Sequence, residues 1–167
     1  EDAGTNYNYL FASEESFGYM PYDFVRDKDA VASIALMNEI VLKAKLDNKS
    51  LIDVLDDIYE VHGYAEESLI ALNFEGLAGK EKIANIMAHF RNGFANDIAE
   101  NKIKVFKDFE TLTELNIETK QTTPIKMEKS NVLGFEFENG DILFVRPSGT
   151  EPKIKFYTMV QVKEGEL

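Results

Sequence analysis

Arg146, Ser148, Gly149, Thr150, Lys153 and Lys155 crowd into the stretch Arg146–Lys155, with Pro147 and Pro152 set among them. An arginine, two hydroxyls, a glycine and two lysines so close together suit one kind of chemistry, the binding of an anion and of phosphate above all. Each proline fixes its φ near the polyproline value and removes one N–H. Gly149 permits a turn that other residues resist. The spacing therefore predicts a stiff loop whose remaining N–H and O–H donors converge. The alternative is a polar turn joining two strands, because short motifs also arise without function.

A second group lies near the start of the chain. Glu14, Glu15 and Ser16 stand between an apolar run and Gly18. Carboxylates accept hydrogen bonds from sugar hydroxyls, and a serine can donate or accept, so this loop could grip a sugar. A solvated acidic loop is the plain alternative. Lys28 follows closely, at the expected start of a helix, whereas cations favour helix C-termini. It reads either as an exposed lysine or as a cation facing a phosphorylated ligand.

The elements that must position these residues can be read in order. Tyr7–Ala12 is expected to be a strand. Asp27 is the expected N-cap of a helix running to about Leu46. Val31, Ile34, Ala35, Met37, Ile40, Val41 and Ala44 form its wide apolar stripe, as for a helix against a sheet. Ser50 and Asp53 resemble a capping box for a second helix, with Leu51, Ile52, Leu55, Ile58 and Tyr59 apolar and Gly63 as its stop. One strand and two helices cannot cover both faces of a sheet, so residues 1–63 are expected to be the tail of a larger α/β domain.

After a boundary near His62–Tyr64, the pattern predicts a strand over Glu66–Phe74, a helix over Ala78–Arg91 and a strand over Lys102–Phe109. Glu110–Glu128 is polar and threonine-rich and reads as a long connection. Val132–Glu138 and Asp141–Val145 are expected strands joined by a two-residue Asn139-Gly140 hairpin. Lys153–Val162 is the last. The expected fold class is thus an α/β remnant of one strand and two helices, followed by an α+β module with a small antiparallel sheet and a helix on one face.

Composition narrows the function classes. The 167 residues carry 44% hydrophobic side chains, enough for a packed core, and a formal charge of −12. That charge disfavours a nucleic-acid partner, and no Lys/Arg cluster offsets it. It also makes the local cations Arg146, Lys153 and Lys155 stand out. No apolar run approaches a membrane span, so no membrane partner is expected. Cysteine is absent, which excludes disulfides and thiolate metal sites. His62 and His89 are in no metal-ligand spacing.

Taken together, Glu14-Glu15-Ser16-Phe17-Gly18, Arg26-Asp27-Lys28-Asp29 and Arg146-Pro147-Ser148-Gly149-Thr150-Glu151-Pro152 resemble the alpha-D-phosphohexomutase family, in its phosphoglucomutase branch. Lys153-Ile154-Lys155-Phe156-Tyr157 extends the most specific of these motifs. The resemblance implies that residues 1–63 are the C-terminal part of the third of four domains and residues 64–167 the fourth. It implies that Glu14 and Ser16 hold sugar hydroxyls. Lys28, Arg146, Ser148, Gly149, Thr150 and Lys155 would hold substrate phosphate. The Glu-Glu-Ser-Phe-Gly-Tyr form favours a glucose-type mutase, since the mannose and glucosamine types carry Ser-Gly-His.

In such a family a phosphoserine in the first domain exchanges its phosphoryl group with a hexose phosphate. Mg2+ held by an aspartate-rich loop of the second domain and glucose 1,6-bisphosphate are the implied cofactors of the full-length enzyme. Neither the phosphoserine loop nor the aspartate-rich loop has a match here. The chain is therefore expected to hold no catalytic residue, to bind no metal, to be inactive alone, and to work with upstream domains of the same polypeptide in the cytoplasm. A phosphopentomutase, a phosphomannomutase and a non-enzymatic anion-binding module are the alternatives.

Overall fold

The computed structural model describes residues 8–14, 17–92, 97–98 and 101–162. The chain divides into two compact units, Glu1–His62 and Gly63–Leu167.

In the first unit, β1 (Ala12–Ser13) and β2 (Tyr19–Met20) pair antiparallel. They are followed by α1 (Ala30–Leu46) and α2 (Leu51–His62). The strand expected over Tyr7–Ala12 is replaced by this short hairpin: residues 8–11 are not strand, and Tyr7 lies outside the described residues. The N-cap of α1 is Asp29, not Asp27. The Asp29 Oδ1 accepts from the N–H groups of Val31 at 2.9 Å and Ala32 at 3.1 Å. The reason lies across the loop, where the Asp29 N–H donates to the Tyr19 carbonyl at 3.0 Å and holds residues 27–28 out of the helix.

α1 ends in a Schellman turn. Asn48 takes φ +55°, its N–H donates to Lys45, and the Lys49 N–H donates to Ala44. α2 begins with the expected capping box: Ser50 Oγ accepts from the Asp53 N–H at 3.2 Å and Asp53 Oδ2 from the Ser50 N–H at 2.6 Å. Gly63, at φ +85°, follows its last residue. The apolar stripe of α1 is not packed on a sheet as its pattern predicts. Val31 is 79% exposed and Ile34 63%, and only Ala44 of this helix is buried. The physical reason is that a two-residue hairpin offers too little surface to cover a helix of this length.

The second unit is an antiparallel sheet with a helix on it. β3 (Tyr64–Asn73) leads into α3 (Gly76–Asn92). β4 (Asp97–Ile98), β5 (Asn101–Asp108), β6 (Thr113–Asn116) and β7 (Thr122–Pro124) follow. β8 (Leu133–Phe137), β9 (Ile142–Pro147) and β10 (Lys153–Val162) complete it. The order is β3-β10-β9-β8-β5-β6-β7, with β4 paired to β5. Leu133, Phe135, Val145 and Ile154 are fully buried and form the core with Ile83 and Met87 of α3. Period-two alternation supplies this: every second residue of β8 and β9 faces the helix.

Two local expectations change. The segment Glu110–Glu128 is no plain connection, because β6 and β7 form a hairpin at the sheet's end. Its threonines suit strand geometry, but little of it is buried, so no hydrophobic alternation marks it. The turn at Asn139-Gly140 is longer than two residues. Only Gly140 takes positive φ, and its N–H donates to Phe137. That is a type I turn closed by a glycine bulge rather than the mirror-image turn.

Candidate functional site

The loop expected to bind an anion is the connection between β9 and β10, built on a strand pair whose register is fixed by the core. Val145 and Ile154 point into that core, fully buried. Alternation therefore turns their neighbours Arg146 and Lys155 to the opposite face. These two residues are direct partners across β9 and β10. Both cations are thus presented on one face of the strand pair, where one anion can meet them together. Lys155 also lies over the Tyr157 ring, with Nζ 5.7 Å from its centroid. Arg146 is exposed and Lys155 half-buried.

The loop itself closes on short bonds. The Ser148 N–H donates to the Lys153 carbonyl at 2.8 Å, and the Lys153 N–H donates to the Glu151 carbonyl at 2.8 Å. Ser148 Oγ accepts from the N–H groups of Thr150 at 3.4 Å and Glu151 at 3.3 Å. The amides expected to form an open nest are thus turned onto the serine oxygen. The oxygen's acceptor capacity is used inside the loop, which leaves its O–H to donate outward. Gly149 departs from its expected role. It is not in the left-handed region. A Cβ there would meet nothing within 4 Å. Its contribution is access: no side chain stands between its backbone and an approaching ligand.

One neighbouring element steadies the loop. The Phe74 N–H, just past β3, donates to the Pro152 carbonyl at 2.8 Å. Gly79 in α3 sits so close to Phe74 that a Cβ would lie 2.5 Å from the Phe74 carbonyl oxygen. Lys82 places Nζ 4.6 Å from the centre of the Phe74 ring. An open cavity of about 400 Å³ separates the start of the loop from α3, and Arg91 lines it. Arg91 ties the end of α3 to the sheet. Its Nε lies 2.9 Å from Asp108 Oδ2, and its guanidinium also meets Glu110 at 2.7 Å and Asn131 at 2.9 Å. Sequence reading gave Arg91 and Asp108 no role. A carboxylate at a core-facing strand position was the available signal.

In the first unit Glu14 and Lys28 are brought together. Lys28 Nζ lies 3.5 Å from Glu14 Oε1 and 3.2 Å from Asp27 Oδ1. Asp27 Oδ1 also accepts the Lys28 N–H at 2.7 Å. Hydrogen bonding and charge from Asp27, then the charge of Glu14, hold the Lys28 pKa above the usual lysine value. The same contacts with Lys28 pull Asp27 below the usual aspartate value. Glu14 is fixed by its N–H, which donates to the Gly18 carbonyl at 2.8 Å. Ser16 lies outside the described residues. Phe17, beside it, takes φ +63°, so the loop turns sharply before Gly18.

Among the described residues no group of three or more Asp, Glu or His side chains is placed to hold a metal ion. The magnesium that the resemblance implies would be held by an aspartate-rich loop of the second domain, a loop without a match in this sequence. No described helix is long and apolar enough to cross a membrane.

Residues 96–165 match the family model described as phosphoglucomutase/phosphomannomutase, C-terminal domain. The chain is 42% identical over 154 residues to a phosphoglucomutase of Staphylococcus aureus strain N315, covering 92% of this chain and 28% of that relative. A phosphoglucomutase of strain MSSA476 is 40% identical over 156 residues, covering 93% and 28%. The chain therefore spans 28% of the length of these curated relatives. The open form of pp63/parafusin, an exocytosis-sensitive phosphoprotein and phosphoglucomutase of Paramecium, shares the fold. The TM-score is 0.59 at 18% identity, over 93% of this chain and 26% of that one. The chain thus carries a segment that matches the C-terminal-domain model of phosphoglucomutases and phosphomannomutases, and it is similar to phosphoglucomutases over most of its own length.

Proposed function

We propose that this chain is the substrate-holding C-terminal part of a phosphoglucomutase that interconverts glucose 1-phosphate and glucose 6-phosphate. The observation that carries the reading is the facing pair Arg146 and Lys155 beside the Ser148-Gly149-Thr150 turn. Arg146 can meet a phosphate with two parallel hydrogen bonds, and Lys155 adds a point charge. The Ser148 O–H, the Gly149 N–H and the Thr150 hydroxyl supply further donors. In this reading the loop holds the phosphate that is not reacting. Glu14 and Ser16 engage sugar hydroxyls, and Lys28 meets phosphate or ring oxygens.

The division of labour suits the chemistry. Phosphoryl transfer depends mainly on positioning and on charge stabilisation. A grip on the distal phosphate supplies binding energy remote from the bond that breaks, which can be used to align the reacting group. Residues 1–63 are proposed as the end of the third domain and residues 64–167 as the fourth. The phosphoserine and the magnesium ion belong to other parts of the longer polypeptide, and the 167-residue chain alone does not turn over substrate.

The test is an assay of the full-length polypeptide with glucose 1-phosphate, in competition with mannose 1-phosphate and ribose 1-phosphate. Preference for the glucose ester supports the reading. Preference for the mannose or ribose ester replaces it with a phosphomannomutase or a phosphopentomutase, and no mutase activity at all leaves an anion-binding module.

A further inference from the structure

We propose that Gly18 and Asp27 are positioning residues that hold the Lys28 ammonium against the Glu14 carboxylate, so that a ligand meets cation and carboxylate as one preset pair. The role of that pair rests on the functional reading above; the positioning itself rests on geometry. A Cβ built on Gly18 would lie 2.5 Å from Lys28 Cγ and 3.2 Å from Glu14 Oε2. The lysine stem therefore crosses the loop through the space that the missing side chain leaves, and reaches Glu14 by that route. Gly18 is not in the left-handed region, so its backbone does not itself require glycine. The space is what requires it.

Asp27 fixes the lysine from the other side. One carboxylate oxygen, Oδ1, takes both the backbone N–H and the ammonium of Lys28. A half-exposed lysine otherwise samples many rotamers. Here its two ends are tied to one atom, and its Cγ rests on the glycine. The frame around it is equally set: Glu14 is bonded to Gly18, and Asp29 to Tyr19. A preset pair avoids the ordering cost that a free lysine would meet on binding.

The experiment uses the full-length polypeptide. Gly18→Ala and Lys28→Ala should each lower kcat/KM for glucose 1-phosphate by at least about tenfold, as small misplacements of positioning groups do. The double variant should be close to Lys28→Ala alone, because the alanine methyl then has no lysine stem to displace and its remaining contact, 3.2 Å from Glu14 Oε2, is relieved by a small shift of that flexible side-chain end. Effects that multiply would show that Gly18 acts through something other than Lys28 and would overturn the proposal. A second measurement reads position without activity. The Lys28 side-chain Cε resonance, assigned by its loss in Lys28→Ala, should move toward the free-lysine value in Gly18→Ala and in Asp27→Asn without substrate. A resonance that stays in place in both overturns the proposal. If Gly18→Ala fails to fold, Asp27→Asn carries the decision. If the parent protein has no mutase activity, the functional reading fails while the lysine resonance still decides the positioning.

Discussion

Arg146 is the side chain on which the phosphate reading turns. In the full-length polypeptide Arg146→Ala should lower kcat/KM by an amount equivalent to about 2–3 kcal/mol, the loss of a charge-assisted contact. Steady-state kinetics with glucose 1-phosphate check it, and an unchanged kcat/KM removes Arg146 from the site. Arg146→Lys should recover little, because an ammonium cannot reproduce two parallel bonds. Lys107 makes a prediction about pH. Burial lowers its pKa, but hydrogen bonding and charge from Glu136, and then Glu114, outweigh burial and raise it above the usual value. A raised lysine pKa contributes stability that is complete below the unfolded-state value and lost as pH rises through the folded one. Thermal unfolding followed upward from about pH 10 should therefore show Tm falling, and Glu136→Gln should flatten that fall. A variant with the same alkaline slope as the parent would deny Glu136 its part. At this scale the sequence identified the residue types, but not that Ser148 Oγ is the acceptor for its own loop.

The strand pair β9–β10 and helix α3 set where those side chains stand. Gly79→Ala would force a methyl group against the Phe74 carbonyl, a backbone atom that cannot turn aside. Overpacking of this kind costs about 1–3 kcal/mol. Because Phe74 also bonds Pro152, the substitution should loosen the anion loop as well as lower stability. Chemical denaturation measures the first effect and amide exchange at residues 148–153 the second. Normal exchange there, with lowered stability, would limit Gly79 to the core. Arg91→Ala takes the guanidinium from the buried Asp108 carboxylate, which keeps the hydrogen bond from the Glu110 N–H. Hydrogen bonds to charged groups contribute about 1.5–3 kcal/mol, and denaturation should show a loss of that size. Elements were legible wherever the residue pattern was periodic or capped, buried as in β8 and β9 or exposed as in α1 and α2. The limits of β10 and the end of α1 follow directly from the residue pattern. The β6–β7 hairpin was not legible, because a wet sheet edge carries no such pattern.

For the whole molecule, the chain spans 28% of its phosphoglucomutase relatives. The 167-residue chain by itself should show no mutase turnover, and calorimetric titration with magnesium should give no saturable heat. Turnover or a stoichiometric magnesium site would refute the assignment of that chemistry to other parts of the polypeptide. What the sequence determined by itself was the likeness to phosphoglucomutases and the antiparallel α+β unit, because each depends on local residue order: a motif of fixed spacing, alternation and capping. Only the tertiary structure decided that Arg146 and Lys155 face one another. Their separation in sequence carries no register, and the core contacts of Val145 and Ile154 impose it. The same holds for Lys28. Its sequence neighbours suggested a helix start, but Asp29 is tied to Tyr19, and that bond keeps Lys28 outside the helix, where Gly18 leaves room for it to reach Glu14.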